Sequence, residues 1–234
     1  MVIIYTMRKI ILPILMVKIG FASVCNEVNL REHLPLMPER VQVVSKQERN
    51  GLCELVLKDG GGYFTLYAGK DFVIAGAMIS RGVNLSQESI LRAQAEDIKK
   101  LLPELDKLTV AKESRGEKTL YMITDPECPY CEASKKRVYE LAKERGWSTA
   151  IVWFPLPSHP QAEKKAISFI CEKRTWQDYL NGLYGTSSCE EGISKVAKSK
   201  ELLQSIVSGT PTFILSTGEV VVGANIRALE EKLR

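Results

Sequence analysis

The sequence predicts a mixed α/β chain in two parts, a small antiparallel sheet followed by a larger unit of alternating strands and helices. Three observations predict it. Apolar runs parted by glycine-rich turns fill residues 51–79, and helical periodicity follows from Ser86. From Lys118 onward, short β-leaning runs alternate with amphipathic ones, and a Cys-x-x-Cys pair, Cys128 and Cys131, stands where one such run passes into a helix.

Residues 1–22 read as an export signal. Arg8-Lys9 precede an apolar run over 10–17, and Gly20-Phe21-Ala22 supplies small residues where a signal peptidase inspects the chain. Cleavage is expected after Ala22, with translation beginning at Met1 or Met7. Lys18 shortens the run, which favours a cleaved signal over an uncleaved membrane anchor. Val24 before Cys25 is too large for a good lipidation site. Export implies an oxidising compartment, where six cysteines are more naturally disulfides than free thiols.

The formal net charge of +4 does not point to nucleic acid. Arg8, Lys9 and Lys18 lie in the first 22 residues with no acid among them, so the remainder is nearly neutral. No basic stripe with interleaved aromatics appears, and nucleic-acid binding is unsupported.

Residues 25–38 carry a short amphipathic helical pattern around Val28, Leu30, Leu34 and Leu36. Three β-like runs follow at 51–58, 63–68 and 72–79, the first two joined by the Asp59-Gly60-Gly61-Gly62 turn, where glycine tolerates positive φ. Such a meander is marginal alone and wants a partner surface, which a second copy could supply. Ser86 caps a helix flanked by a Leu85–Ile90 staple, and Leu91, Ala95, Ile98, Leu101 and Leu102 repeat at helical spacing until Pro103 ends the run. The order suggests an N-terminal domain at 23–84, a linker helix at 85–106 and a catalytic domain at 107–234. In the last, the expected order is strand 119–124, helix 129–145, strand 148–154, helices 161–173, 176–183 and 190–206, strands 212–215 and 220–222, and helix 226–233.

Cys128 would sit at the N-terminus of the 129–145 helix, where free N–H groups and the macrodipole favour a thiolate. Pro129 suits the first helical turn, and Cys131 falls on the same side one turn later. A reversible dithiol/disulfide switch results. Half of a zinc site is the competing reading of the spacing, but only His33 and His159 could add ligands, and neither forms a ligand-like pair. No metal or cofactor is expected. The βαβ opening, inserted helices and terminal hairpin with helix follow the thioredoxin order. Pro211, directly before the penultimate strand, reads as a cis-proline once the Cys-x-x-Cys is taken into account.

On these residues the chain resembles the DsbC/DsbG family of periplasmic disulfide isomerases. The resemblance rests on Thr124-Asp125 before Cys128-Pro129-Tyr130-Cys131, Phe154-Pro155, Cys171, Cys189 and Gly209-Thr210-Pro211-Thr212. Upstream it includes Gly51-Leu52, Tyr63, Gly69-Lys70 and Gly76-x-Met78, and so spans nearly all of the chain after the signal. It implies a thioredoxin-like catalytic domain with a helical insertion, preceded by a small cystatin-like sheet domain and a linker helix. It further implies a V-shaped homodimer joined through the small domains, an uncharged cleft for misfolded exported proteins, and a membrane reductase of the DsbD type. Pro129-Tyr130 is the dipeptide of DsbG and of glutaredoxins, whereas DsbC carries Gly-Tyr. Cys171 and Cys189 look like the structural disulfide of DsbC, which DsbG lacks.

Cys128 is thus the expected nucleophile and Cys131 the resolving thiol, with Pro129, Tyr130, Thr210 and Pro211 lining the substrate groove. Closing the Cys171–Cys189 loop would contribute about 3 kcal/mol by chain entropy. Cys25 and Cys53 form a second bridge, or one of them is a free or intermolecular thiol. Glu127 reads as a solvated acid that could adjust Cys128, His159 as a surface residue without a catalytic role, and Lys135-Lys136-Arg137 as a solvated helix face. Three functions fit: a protein disulfide isomerase with reductase activity, a DsbG-like chaperone that protects single cysteines from over-oxidation, and a dithiol oxidase.

Overall fold

The computed structural model of the chain describes residues 23–60 and 62–234. The expected export signal and Gly61 of the glycine turn lie outside the described residues.

Four antiparallel strands build the first sheet in the order β1 (Gln42–Arg49), β2 (Leu52–Asp59), β3 (Gly62–Ala68) and β4 (Val73–Ala75). The side-chain period of two divides β2 between two environments. Cys53, Leu55 and Leu57 join Leu66 and Ala68 in an apolar cluster closed by Cys25, Val28, Leu30 and Val41. That lid is not the single amphipathic helix expected at 25–38. It is two helical turns, α1 (Val24–Glu27) and α2 (Leu30–His33), because Val28 and Asn29 are extended and Asn29 caps the second turn. β1 is not an expected strand: Gln42, Ser45, Lys46, Gln47, Glu48 and Arg49 hide its character, and pairing with β2 across a bulge between Val43 and Ser45 supplies it. The expected run 72–79 breaks after Ala75, and its end pairs as a separate hairpin of β5 (Ile79–Ser80) and β6 (Val83–Asn84).

Helix α3 (Leu85–Leu108) serves both sheets. Asn84 caps it by accepting from the Gln87 N–H at 3.0 Å. Its first half lies over the second face of the small sheet, where Glu54 of β2 is fully buried. The Glu54 carboxylate accepts from Tyr67 OH at 2.8 Å, from Ser89 Oγ at 2.7 Å and from Arg49 Nε at 3.0 Å, and Gln47 donates to it as well. Further along, Asp97 accepts from Lys58 and Tyr63, both at 2.8 Å. The helix passes through Pro103 instead of ending there. An interior proline costs about 3 kcal/mol, but Ile98, Leu105 and Leu108 are buried against the second sheet. Each such side chain contributes about 1.5–3 kcal/mol, so tertiary burial wins.

The second sheet has the order β11 (Val220–Val222), β10 (Thr212–Leu215), β8 (Thr119–Thr124), β9 (Ser148–Trp153) and β7 (Ala111–Glu113). Among the described residues only β8 and β9 pair in parallel, and both are buried along their whole length, as covered parallel strands should be. Edge strand β7, three residues long, is too short to read from sequence. One face packs on α3 and on Leu203 at the end of α7 (Glu190–Leu203). The other packs on α4 (Pro129–Glu144), α5 (Ala162–Cys171), α6 (Trp176–Leu180) and α8 (Ile226–Lys232), around Trp153 and Phe169. This is a mixed α/β thioredoxin-like fold with a helical insertion between β9 and β10, preceded by an antiparallel sheet. Gly218, at φ +98°, lets the β10–β11 turn meet the middle of α3; a Cβ there would lie 2.4 Å from the Ala95 carbonyl oxygen. No helix among the described residues is long and apolar enough to cross a membrane.

Burial pushes the Glu54 carboxyl up, but hydrogen bonds from Gln47, Ser89 and Tyr67 and the charge of Arg49 outweigh it and hold its pKa below 4.5. A depressed folded pKa gives stability that is present above the unfolded value and lost as pH falls through the folded one. Denaturant melts from pH 6 down to pH 3 should therefore show wild type losing stability that a Glu54→Gln variant, already weaker at pH 6, does not lose.

Candidate functional site

The site forms where β8 ends and α4 begins. Asp125, directly after β8, is buried, and its carboxylate organises the turn. Oδ1 accepts from the Glu127 N–H at 2.7 Å, and Oδ2 accepts from the Leu156 N–H at 2.7 Å and lies 2.8 Å from His159 Nδ1. The Asp125 carbonyl accepts from the Cys128 N–H at 3.3 Å. These contacts place Cys128 at the N-cap of α4, with Pro129 at the first helical position.

Cys128 and Cys131 are both thiols, and both are buried. Cys128 makes no capping hydrogen bond with its side chain. Its Sγ donates instead to the Thr210 carbonyl oxygen at 3.2 Å. The Thr210–Pro211 peptide bond is cis. The Thr210 hydroxyl is buried and has no hydrogen-bond partner among the described residues. Thr212 closes the loop by donating to the Gly209 carbonyl at 2.7 Å. Tyr130, 68% exposed, and Pro129 stand open to solvent on the rim. The structure thus brings Cys128, Cys131 and Thr210 together, with Pro129, Tyr130 and Pro211 adjoining them in the chain.

The two thiols differ in surroundings. Burial pushes the Cys131 thiol up to about 12, opposed by hydrogen bonds from the Thr124 hydroxyl and the Asp125 backbone. Glu127 does not point at the dithiol: it accepts from Lys165 Nζ at 2.7 Å and from the Gln161 N–H at 2.8 Å, which lower its carboxyl pKa.

Two side chains that the sequence places at the surface are tied into the site. His159 is a partner of Asp125 and fastens the loop after β9 to the turn, rather than standing free. Lys135 does not belong to a solvated face with Lys136 and Arg137. It is 1% exposed, and its Nζ donates to the Tyr179 carbonyl at 2.9 Å and pairs with Glu132. The stripe Cys131, Ser134, Lys135, Val138, Leu141 and Ala142 is the buried side of α4, and its spacing is visible in the sequence. Thr124 and Tyr179, whose hydroxyls meet at 2.9 Å behind Cys131, carry no such signal.

The other four cysteines are paired. Cys171 of α5 bonds to Cys189, the N-cap of α7, and Cys25 of α1 bonds to Cys53 of β2. Among the described residues no cluster of three or more His, Cys, Asp or Glu side chains is placed to hold a metal ion.

Fold and site define a thioredoxin-like protein with a free Cys-x-x-Cys dithiol, the equipment of a thiol–disulfide oxidoreductase. The chain belongs to the thioredoxin-like domain family, whose sequence model matches residues 105–231. Among solved structures it is similar to a disulfide interchange protein from Neisseria gonorrhoeae, at 27% identity and a TM-score of 0.45, over 56% of this chain and 95% of that one. It is also similar to Helicobacter pylori DsbG, at 16% identity and a TM-score of 0.41, over 75% and 93% of the two chains. A third is oxidised BdbD from Bacillus subtilis, at 14% identity and a TM-score of 0.42, over 54% and 93%. Comparison with curated proteins finds no match.

Both thiols are nucleophiles only as thiolates, and their environments should separate them. Iodoacetamide at pH 8 is expected to add one group, at Cys128, in the native protein and a second, at Cys131, only after denaturation. Peptide mass spectrometry reads the result, and equal labelling of both in the native state would contradict it.

Proposed function

We propose that the chain is a protein disulfide isomerase with reductase activity, acting on exported proteins in the periplasm. The observation that carries this reading is the free Cys128–Cys131 dithiol at the start of α4 with the Thr210 backbone 3.2 Å from the outer sulfur. The Cys128 thiolate attacks a wrong disulfide in a client, its sulfur joins one client sulfur, and the other client cysteine leaves as a thiolate. That thiolate attacks elsewhere in the client, and a final exchange returns Cys128 to the free state. If rearrangement stalls, Cys131 attacks Cys128, the client departs reduced, and the protein is left oxidised. A reductase must then restore the dithiol, for which a membrane protein of the DsbD type is proposed.

Pro129, Tyr130, Thr210 and Pro211 form the client groove in this reading, with Cys171–Cys189 and Cys25–Cys53 as structural bridges. The proposed division is a signal at 1–22, a dimerisation domain at 23–84, a linker helix at 85–106 and a catalytic domain at 107–234. The dimer is supported by the apolar side chains that edge strand β4 and the β5–β6 hairpin leave exposed: Ile74, Ile79, at 67%, and Val83. Pro129-Tyr130 supports the second reading, a DsbG-like chaperone that protects single cysteines from over-oxidation. A dithiol oxidase is the third.

Scrambled four-disulfide ribonuclease in a mild glutathione buffer should regain activity with the wild type and not with Cys128→Ala. No recovery above buffer from folded protein with an intact Cys128 thiol would sink the isomerase reading, and protection of clients that survives Cys128→Ala would favour the chaperone. Sedimentation should give a dimer for wild type and a monomer for Ile79→Asp/Val83→Asp. A wild-type monomer would remove the dimer and favour the oxidase.

A further inference from the structure

Two carboxylates stand in the turn directly before the nucleophile, Asp125 and Glu127, three residues and one residue ahead of Cys128. Their negative charges compete with a Cys128 thiolate for the positive end of α4, and a like charge nearby disfavours the thiolate. Neither acid is left bare. Both are met by one short segment, residues 156–165, which follows β9 and runs into α5. Asp125 Oδ2 accepts from the Leu156 N–H at 2.7 Å and lies 2.8 Å from His159 Nδ1. Glu127 accepts from the Gln161 N–H at 2.8 Å and from Lys165 Nζ at 2.7 Å. Each acid therefore receives one backbone donor and one basic side chain from that segment.

The segment holds those partners in place. The His159 N–H donates to the Leu156 carbonyl at 3.0 Å, and the Ala162 N–H donates to the His159 carbonyl at 3.2 Å. Gln161 is the N-cap of α5, and Lys165 lies one turn further on. The two pairs differ in depth. The Asp125 side chain is fully buried and that of His159 mostly so, whereas Lys165 is partly exposed. An ionised carboxylate only accepts, so His159 Nδ1 carries the proton that faces it, and the other ring nitrogen is the one that titrates. The bond to Asp125 is thus kept whether the ring is neutral or charged. From Asp125 the order passes to the nucleophile, since Oδ1 accepts from the Glu127 N–H at 2.7 Å and the carbonyl accepts from the Cys128 N–H at 3.3 Å.

We propose that His159 and Lys165 are positioning residues for Cys128: hydrogen-bonded to Asp125 and Glu127, they hold the turn and offset two negative charges beside the attacking sulfur. The inference rests on nucleophilic exchange at Cys128 and is the same for an isomerase and an oxidase. The other charged or titratable groups around the turn are Tyr130, Cys131 and Glu132 on α4, the last paired with Lys135, and Tyr179 on α6 with Tyr184 after it. Glu163, on α5 between the two basic residues, turns to Lys200 instead.

The test follows alkylation of Cys128 by iodoacetamide from pH 5 to 10 in the full chain carrying Cys131→Ala. His159→Leu is expected to move the midpoint of the profile upward by about half a unit, or about threefold slower alkylation at pH 7, with the limiting rate at pH 10 unchanged. His159→Asn, whose amide can donate to Asp125, should recover most of that shift. Lys165→Met should shift the midpoint in the same direction in 20 mM salt and lose the shift in 1 M salt, where screening acts within about 3 Å. The buried His159 effect should survive the salt. A lower limiting rate at an unchanged midpoint for folded His159→Leu would reduce its role to packing and overturn the proposal, as would a His159→Asn shift as large as that of His159→Leu. Should His159→Leu fail to fold, Lys165→Met decides, and a wild-type midpoint for it in 20 mM salt would overturn the counter-charge. Alkylation needs no client, so absent ribonuclease refolding alongside the expected shifts would remove the isomerase reading and still uphold the inference.

Discussion

The Asp125 carboxylate accepts backbone hydrogen bonds from Glu127 and Leu156 and faces His159, and these partners come from two separate stretches of chain around the site. One partner is in the turn into α4, and the other two are in the loop that leaves β9. A carboxylate buried in this way would be severely destabilising without donors, so turn and loop are held together or the fold loses the group. Because β8 and β9 pair in parallel, their C-terminal ends emerge side by side, and one carboxylate can reach both exits. Cys128 inherits its position from this arrangement, since its N–H bonds to the Asp125 carbonyl. The site is therefore attached to the rigid end of a sheet, and its loops derive their order from a single residue.

The second sheet is joined to the first by a helix that changes character along its length. Over the small sheet, α3 presents Ser86, Ser89 and Asp97 to Glu54, Tyr67, Lys58 and Tyr63. Over the large sheet it presents Ile98, Leu105 and Leu108. At 24 residues it is about 36 Å long, enough to serve both without a break. The polar half specifies which face of the small sheet it covers, because Ser86, Ser89 and Asp97 find their partners there. The apolar half supplies the burial that carries the helix past Pro103. Gly218 adds a third contact from the β10–β11 turn, so the hairpin after Pro211 also bears on α3.

Much of this is legible in the residues. Covered strands β8 and β9 announce themselves as unbroken apolar runs, and the Cys-x-x-Cys at the strand–helix junction fixes the order of the elements downstream. The illegible parts share a cause, which is dependence on partners distant in sequence. β1 is a strand because β2 pairs with it, and its polar residues give no period. Pro103 stops a helix in isolation and not on a sheet. Lys135 carries a charge and so reads as solvated, although its spacing from Cys131 and Val138 places it inside the buried stripe. Composition and position disagree there, and position is right. Asp125 and Thr124 stand in the motif, but nothing local shows that their partners would be His159 and Tyr179, about 34 and 55 residues away.

The asymmetry of the two thiols bears on which reaction the proposed chemistry favours. A client held on Cys128 has two fates, attack by its own free thiol or displacement by Cys131, and their relative rates divide isomerisation from reduction. Burial raises the Cys131 pKa, and in the proposed chemistry a scarcer Cys131 thiolate favours a longer-lived mixed disulfide. A client then has time to rearrange. Hydrogen bonds from Thr124 and the Asp125 backbone lower the Cys131 pKa and so work in the other direction. The burial of Cys131 and the hydrogen bonds opposing it thus set a clock, and the clock matters more to a protein that rearranges disulfides than to one that only makes or breaks them.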